Sequence, residues 1–186
     1  MRIFISICIV LLCLRCFSQS FVPDTAVNRI ALSDSTSVLS ILGKDCWNFV
    51  FEDTDHVKVI IFNKKKTEKL ELIFHEGGVL NEFSEFKIFQ VNKISNSSKY
   101  KSITLNVEHF QSAKGIMLGL SPKSVESKLG IELERKQSRN GEVVLFFRKE
   151  IDNDPAFRKY NMPVYYGEYI FRNDQLITFS FGFEQL

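Results

Sequence analysis

The chain has 186 residues, of which 45% are hydrophobic, and this is enough material for a sizeable core. Its formal net charge is +2, with 24 basic and 22 acidic residues. Arg2 and Arg15 are the charged side chains among the first 20 residues, so the rest of the chain is balanced, with 22 basic residues (24 less these two) against 22 acidic. A balanced surface argues against nucleic acid or an anionic membrane as the main partner, because both require a basic excess.

The first 20 residues have the pattern of a secretory signal peptide. Arg2 precedes an apolar run over residues 3–14, which is shorter than the roughly 20 apolar residues of a spanning helix. Small residues at Ser18 and Ser20 suit signal peptidase, so we expect cleavage after Ser20. The expected location is periplasmic or secreted, and an uncleaved anchor or a buried helix is the alternative.

The cysteines agree with this interpretation. Cys8, Cys13 and Cys16 would leave with the signal peptide, and Cys46 would remain, so an intramolecular disulfide is not expected. A bacterial lipid anchor needs a small residue before its cysteine, and neither Cys13 nor Cys16 follows one. Cys46 is predicted to be a buried small hydrophobe.

The first half predicts one helix followed by antiparallel strands. After a short extended segment at 21–29, residues 33–35 provide N-cap chemistry and Gly43 provides a C-terminal stop. Strands are predicted at 47–51, 57–62, 70–74 and 86–91, with turns at 53–55 and 64–66 and a loop at 75–78. Such short connections indicate antiparallel pairing.

The second half follows a polar linker at 92–101 and a further predicted strand at 103–107. Ser121 is a predicted N-cap, Pro122 is the first helical residue and Gly130 ends the helix. Strands are then predicted at 131–136 and 143–147, joined by an Asn-Gly turn at 139–141, followed by a loop at 152–163. A last hairpin is predicted from strands 165–171 and 176–183, with a turn at 172–174.

The two halves contain related short segments. SVLSILG at 37–43 and SVESKLG at 124–130 agree at five of seven positions, although a short match can arise by chance. We therefore predict an α+β protein of two similar units, each a short helical segment packed on an antiparallel sheet. The expected division is 1–20 signal peptide, 21–91 first unit, 92–109 linker and strand, and 110–186 second unit.

Residues 116–130, IMLGLSPKSVESKLG, carry a family resemblance. This segment resembles a signature of small exported domains similar to β-lactamase inhibitor protein and to outer-membrane assembly lipoproteins of the SmpA-OmlA type. The resemblance implies tandem helix-and-sheet units, and it favours binding over catalysis. It transfers fold better than function, because its residues are structural. They are Ser121, Val125, Leu129 and Gly130, with Val38, Leu42 and Gly43 as counterparts in the first unit.

The sequence contains no recognisable catalytic or metal motif. His56, His75 and His109 stand on different segments and lack the spacing of a zinc site. Ser121 is followed by Pro122 instead of the pattern of a nucleophile elbow. No catalytic residue, metal ligand or cofactor is therefore predicted.

The candidate binding residues are aromatic and belong to the last hairpin. They are Tyr165, Tyr166, Tyr169, Phe171, Phe179 and Phe181. Core packing explains most of this pattern, since a sheet covered by helices needs one apolar face, whereas an exposed aromatic face would mark a protein-binding site. The alternate residues, among them Tyr166 and Ile170, define a mixed second face.

These observations predict a non-catalytic protein-interaction module of the bacterial cell envelope. Its expected partner is an envelope or extracellular protein, with no nucleic acid partner and no membrane span after cleavage. The alternative function is a small-ligand-binding protein or an enzyme that uses a cleft between the two units.

Overall fold

The computed structural model describes residues 21–52, 57–74, 83–91, 101–137, 141–151, 157, 160 and 162–184. The predicted signal peptide, the turn at 53–55, the loop at 75–78, residues 92–100 of the linker and residues 139–140 of the Asn-Gly turn lie outside these ranges. So do His56 and His75. Within the described residues, two α-helices accompany a large sheet, which confirms the predicted α+β class.

Helices and strands are largely segregated along the chain, because each α-helix is followed by several strands in succession. The first half contains β1 (Ala26–Val27), β2 (Ile30–Ala31), α1 (Ser35–Leu42), a 3-10 helix (Lys44–Phe49), β3 (Val50–Glu52), β4 (Val57–Phe62), β5 (Glu68–Phe74) and β6 (Glu85–Gln90). The second contains β7 (Ile103–Thr104), α2 (Pro122–Leu129), β8 (Glu134–Gln137), β9 (Val143–Glu150), β10 (Val164–Arg172) and β11 (Gln175–Phe183).

Helix α1 begins at a polar cap and ends at a glycine, as predicted. The Asp34 carboxylate accepts the backbone N–H of Thr36 at 3.0 Å, which satisfies a donor that the helix leaves unpaired. Gly43 follows the last turn with φ of 80°. Val38 is buried and Leu42 is half-buried against the core.

Helix α2 follows the same plan and confirms its predicted boundaries. The Ser121 hydroxyl accepts the N–H of Ser124 at 3.3 Å, and Gly130 takes the left-handed conformation with φ of 72°. Val125 and Leu129 are buried, as their i, i+4 spacing predicts.

The predicted strand at 47–51 is wrong for its first part. Residues 44–49 form a 3-10 helix, and the strand covers only 50–52. The chain turns directly after α1, with the N–H of Cys46 donating to the carbonyl of Gly43 at 3.3 Å. This turn buries Cys46, so tertiary packing overrides the strand propensity of the aromatic residues around it. The strand predicted at 103–107 is likewise shorter, at 103–104.

Strands β1 and β2 pair with each other in a small two-stranded sheet, and strands β3 to β11 form one large sheet. Its order is β3-β4-β5-β6-β11-β10-β9-β8 with antiparallel neighbours throughout, and β7 pairs in parallel with β4. The first-half strands join the second-half strands through the pairing of β6 with β11, which runs from Phe89–Thr178 to Glu85–Gly182. Each half therefore contributes one α-helix to the fold and four antiparallel strands to this sheet. The sequence repeat and the domain boundaries remain predictions.

One face of this sheet supports the hydrophobic core. Val38 of α1 and Val125 of α2 share a buried cluster with strand residues such as Leu72, Tyr169 and Phe181. Both helices therefore lie on this core face. We call the opposite side, formed by the alternate residues of each strand, the second face.

Candidate functional site

Most of the candidate aromatic residues belong to the core. Tyr165, Tyr169, Phe171, Phe179 and Phe181 each have a relative exposure of 1% or less. They point to the face that the helices cover, so the alternative of core packing holds for these five. This corrects the expectation that they form an exposed binding surface.

The packing around Gly167 shows how tightly this aromatic layer is closed. A Cβ atom built on Gly167 would lie 2.4 Å from a ring carbon of Phe147 and 3.1 Å from the Tyr169 hydroxyl. The missing side chain lets the Phe147 ring cross the strand between Tyr165 and Tyr169. Tyr165 also donates its hydroxyl to the carbonyl of Asp24 at 2.5 Å, which fixes its orientation.

Tyr166 is the candidate residue that lies on the second face. It stands where the halves meet, because its register partner Gly182 is itself paired with Glu85 of β6. Burial raises the pKa of the Tyr166 phenol, and the charge and hydrogen bond of the Glu85 carboxylate raise it further. A hydrogen bond with Ser180 lowers it in part. The neutral phenol of β10 therefore donates to the Glu85 carboxylate of β6 and accepts from the Ser180 hydroxyl of β11.

A row of partly exposed side chains crosses the second face beside this junction. Each member is the register partner of the next, so all share one face of the sheet. The second-face row consists of Phe62, Lys69, Phe89, Thr178, Ile170, Val144 and Lys136. Lys136 is exposed and the others are half-buried. The row presents apolar groups between two lysines.

Each half places a lysine over a phenylalanine on this face. The ammonium of Lys69 lies 4.0 Å from the ring centre of Phe89, and that of Lys136 lies 4.0 Å from the ring centre of Phe146. Cations this close to an aromatic ring are attracted to its face, at about 0.5–1 kcal/mol where exposed. The lysines therefore cover part of each ring.

A buried carboxylate anchors one end of this arrangement. Glu71 has 9% of its side chain exposed, and its two oxygens lie 2.9 Å from the Lys69 ammonium and 3.7 Å from that of Lys58. Two partners offset the cost of burying one charge. Glu71 thus holds Lys69 at the position from which it covers Phe89.

One pair of ionisable groups has the geometry that a catalytic site would require. His109 Nδ1 lies 2.6 Å from a carboxylate oxygen of Glu68, which is 7% exposed, and the other oxygen accepts the N–H of Phe110 at 2.7 Å. Asn63 also binds this region, since its side-chain amide donates to the carbonyl of Glu108 at 2.7 Å. These bonds fasten residues 108–110 to the turn between β4 and β5. The pair thereby holds residues 108–110 against β5, and we assign it a structural role.

Sequence reasoning missed Lys69, Phe89 and Phe146, because it considered aromatic patterning only in the last hairpin. Alternation along the strand indicates one part of this arrangement. Lys69 and Glu71 are two residues apart, and such residues lie on the same face of a strand. Which strands would be neighbours depends on long-range pairing, and no local pattern carries that information.

Comparison with known proteins gave no match, whether to protein-family models, to curated proteins or to solved structures. Across the described ranges, no helix is long and apolar enough to cross a membrane. The same residues contain no group of three or more His, Cys, Asp or Glu side chains placed to hold a metal ion.

Proposed function

We propose that this chain is an exported, non-catalytic interaction module of the bacterial cell envelope, and that it binds a protein partner through the second face. The observation that carries the proposal is the second-face row. Half-buried Phe89, Ile170 and Val144 form a stripe on the side that neither helix covers. Aromatic and aliphatic side chains of this kind supply most of the energy of protein interfaces.

The geometry of the sheet supports the same proposal. The second-face row crosses seven strands, spaced about 4.8 Å apart, and is therefore about 29 Å long. This is the scale of a standard protein interface rather than of a small-molecule site. The direct pairing of β6 with β11 favours this function over the alternative of a ligand or substrate cleft between the units.

The proposal includes the predicted export and the resemblance to small exported binding domains. Cleavage after Ser20 would release a chain that starts at Phe21. Mass spectrometry of the protein recovered from its own cells tests this step. A mass that includes residues 1–20 would contradict it.

Site-specific photo-crosslinking in the native envelope tests the binding surface. A photoreactive amino acid replaces Phe146 on the second face, and the matched control places the same group at exposed Ser127 on α2, on the opposite side of the sheet. We expect one or more discrete protein adducts from position 146 and none of them from position 127. Equal labelling from both positions, or none from position 146, would contradict the proposal.

A further inference from the structure

We propose that the N-terminal strap, residues 21–32, is a pH-sensitive latch that holds to the second half while the Asp24 carboxyl is protonated. The proposal is independent of the function proposed above. It rests on the way the strap is bonded and on the buried Asp24 carboxyl, which has an oxygen atom without a hydrogen-bond partner.

Hydrogen bonds and a ring contact attach the strap to the second half. The N–H of Ala113 donates to the carbonyl of Ala26 at 2.9 Å, and the N–H of Asn28 donates to the carbonyl of Gln111 at 3.0 Å. The Phe21 ring packs edge-on against Phe147 with centroids 5.2 Å apart. These contacts close the strap over the aromatic layer of β10.

Asp24 lies at the centre of this contact and is 1% exposed. Its Oδ1 atom accepts the N–H of Lys114 at 3.3 Å, whereas its Oδ2 atom is buried without a hydrogen-bond partner. The hydroxyl of Tyr169, fully buried on β10, is also without one. An unpaired buried carboxylate oxygen is costly, and protonation of the carboxyl or a bound water molecule reduces that cost.

The groups facing Asp24 compensate only part of the cost of burying a negative charge. Residues 112–114 supply four groups that face the carboxyl. They are the Ser112 hydroxyl, which hydrogen-bonds to it, the N–H groups of Ala113 and Lys114, and the Lys114 ammonium. That ammonium donates to the carbonyl of Leu129 at 3.1 Å, so its charge is shared with the end of α2. From β10 come the phenols of Tyr165 and Tyr169, both kept neutral by burial.

The direction of the effect follows from these surroundings. Burial raises the pKa of Asp24 above its ordinary value of 3.8 and outweighs the hydrogen bonds and the Lys114 charge that lower it. A carboxyl with a raised pKa in the folded state stabilises that state while it is protonated. This stability is complete below the ordinary pKa and is lost as the pH rises through the folded-state pKa. The strap should therefore loosen as the pH rises.

Hydrogen exchange of the whole protein tests the latch. Between the ordinary and the raised pKa, protection factors of the Asn28 and Ala113 amides should fall by up to about tenfold per pH unit. The Leu72 amide in β5 should keep its protection. Protection of Asn28 and Ala113 that stays constant over the range from about pH 4 to about pH 8 would overturn the proposal.

A matched pair of variants gives a second test. Asp24→Asn keeps an oxygen atom that can accept the Lys114 N–H. It replaces the titratable carboxyl proton with an amide N–H donor that is present at every pH. Its melting temperature should exceed that of the wild type at high pH, and this difference should vanish toward the ordinary pKa of Asp24. Glu132→Gln, at an exposed position, should show no such trend. A difference in melting temperature between Asp24→Asn and the wild type that does not change with pH would overturn the proposal. If this variant fails to fold, the hydrogen-exchange experiment on the wild type still decides.

Discussion

The ammonium of Lys69 lies 4.0 Å from the ring centre of Phe89, its register partner on the neighbouring strand. Glu71 holds the same ammonium at 2.9 Å. One lysine therefore satisfies a buried carboxylate and covers an aromatic ring at the same time. The relationship links the stability of the sheet to the surface proposed for binding.

This relationship predicts different results for two substitutions of Lys69. Lys69→Ala removes both contacts and leaves Glu71 with Lys58 alone, so the free energy of unfolding should fall by about 1–3 kcal/mol. Lys69→Arg retains a cation at the same place and should cost less than about 1 kcal/mol. Urea denaturation measures both, and equal losses for the two variants would argue against the arrangement.

Tyr165 should behave as a core residue. Tyr165→Ala empties a fully buried aromatic position and should destabilise the protein by about 3–5 kcal/mol. Tyr165→Phe removes only the hydrogen bond to the carbonyl of Asp24 and should cost about 1 kcal/mol. Thermal unfolding distinguishes the two. A Tyr165→Ala protein as stable as the wild type would show that the residue is not in the core.

Gly167 is predicted to be intolerant of any side chain. Gly167→Ala places a methyl group against the Phe147 ring and should cost about 1–3 kcal/mol through overpacking. Phe147→Leu removes the ring carbons that collide with it. The double variant should therefore lose less stability than the two single variants together. Strict additivity in this double-mutant cycle would contradict the predicted contact.

Tyr166 should remain protonated where an ordinary tyrosine ionises. Burial and the Glu85 carboxylate both disfavour the phenolate, so the folded-state pKa lies well above the ordinary 10.0. Ultraviolet titration of the folded protein should give the same phenolate absorbance around pH 10.0 for the wild type and for Tyr166→Phe. A smaller amplitude in Tyr166→Phe would mean that the phenol is exposed and ionises freely.

The features that the sequence predicted well are those determined by neighbouring residues. Ser121 and Gly130 delimit α2 because capping depends on a few adjacent groups. The last hairpin follows from the turn at Asn173 and Asp174, whose φ angles of 51° and 57° suit the twist of the flanking strands.

The features that could not be predicted depend on residues far apart in the chain. Alternation in β10 separates Tyr165 from Tyr166, but it does not say which of the two faces a helix will cover. Long-range packing settles that question, because Tyr165 shares a buried cluster with Val38 of α1 and Val125 of α2. The pairing of Glu85 with Gly182 likewise joins the halves through strands that share no sequence signal.

The most direct test of the account is the affinity of the crosslinked partner, once recovered, for variants of the second face. Phe89→Ala with Phe146→Ala should weaken binding at least tenfold, because truncation of an aromatic hot-spot residue costs about 2 kcal/mol or more. Ile41→Ala, a half-buried residue of α1 packed against the core on the opposite side, should leave binding unchanged. Unchanged affinity in the folded double variant, or an equal loss in Ile41→Ala, would contradict the assignment of the second face as the binding surface.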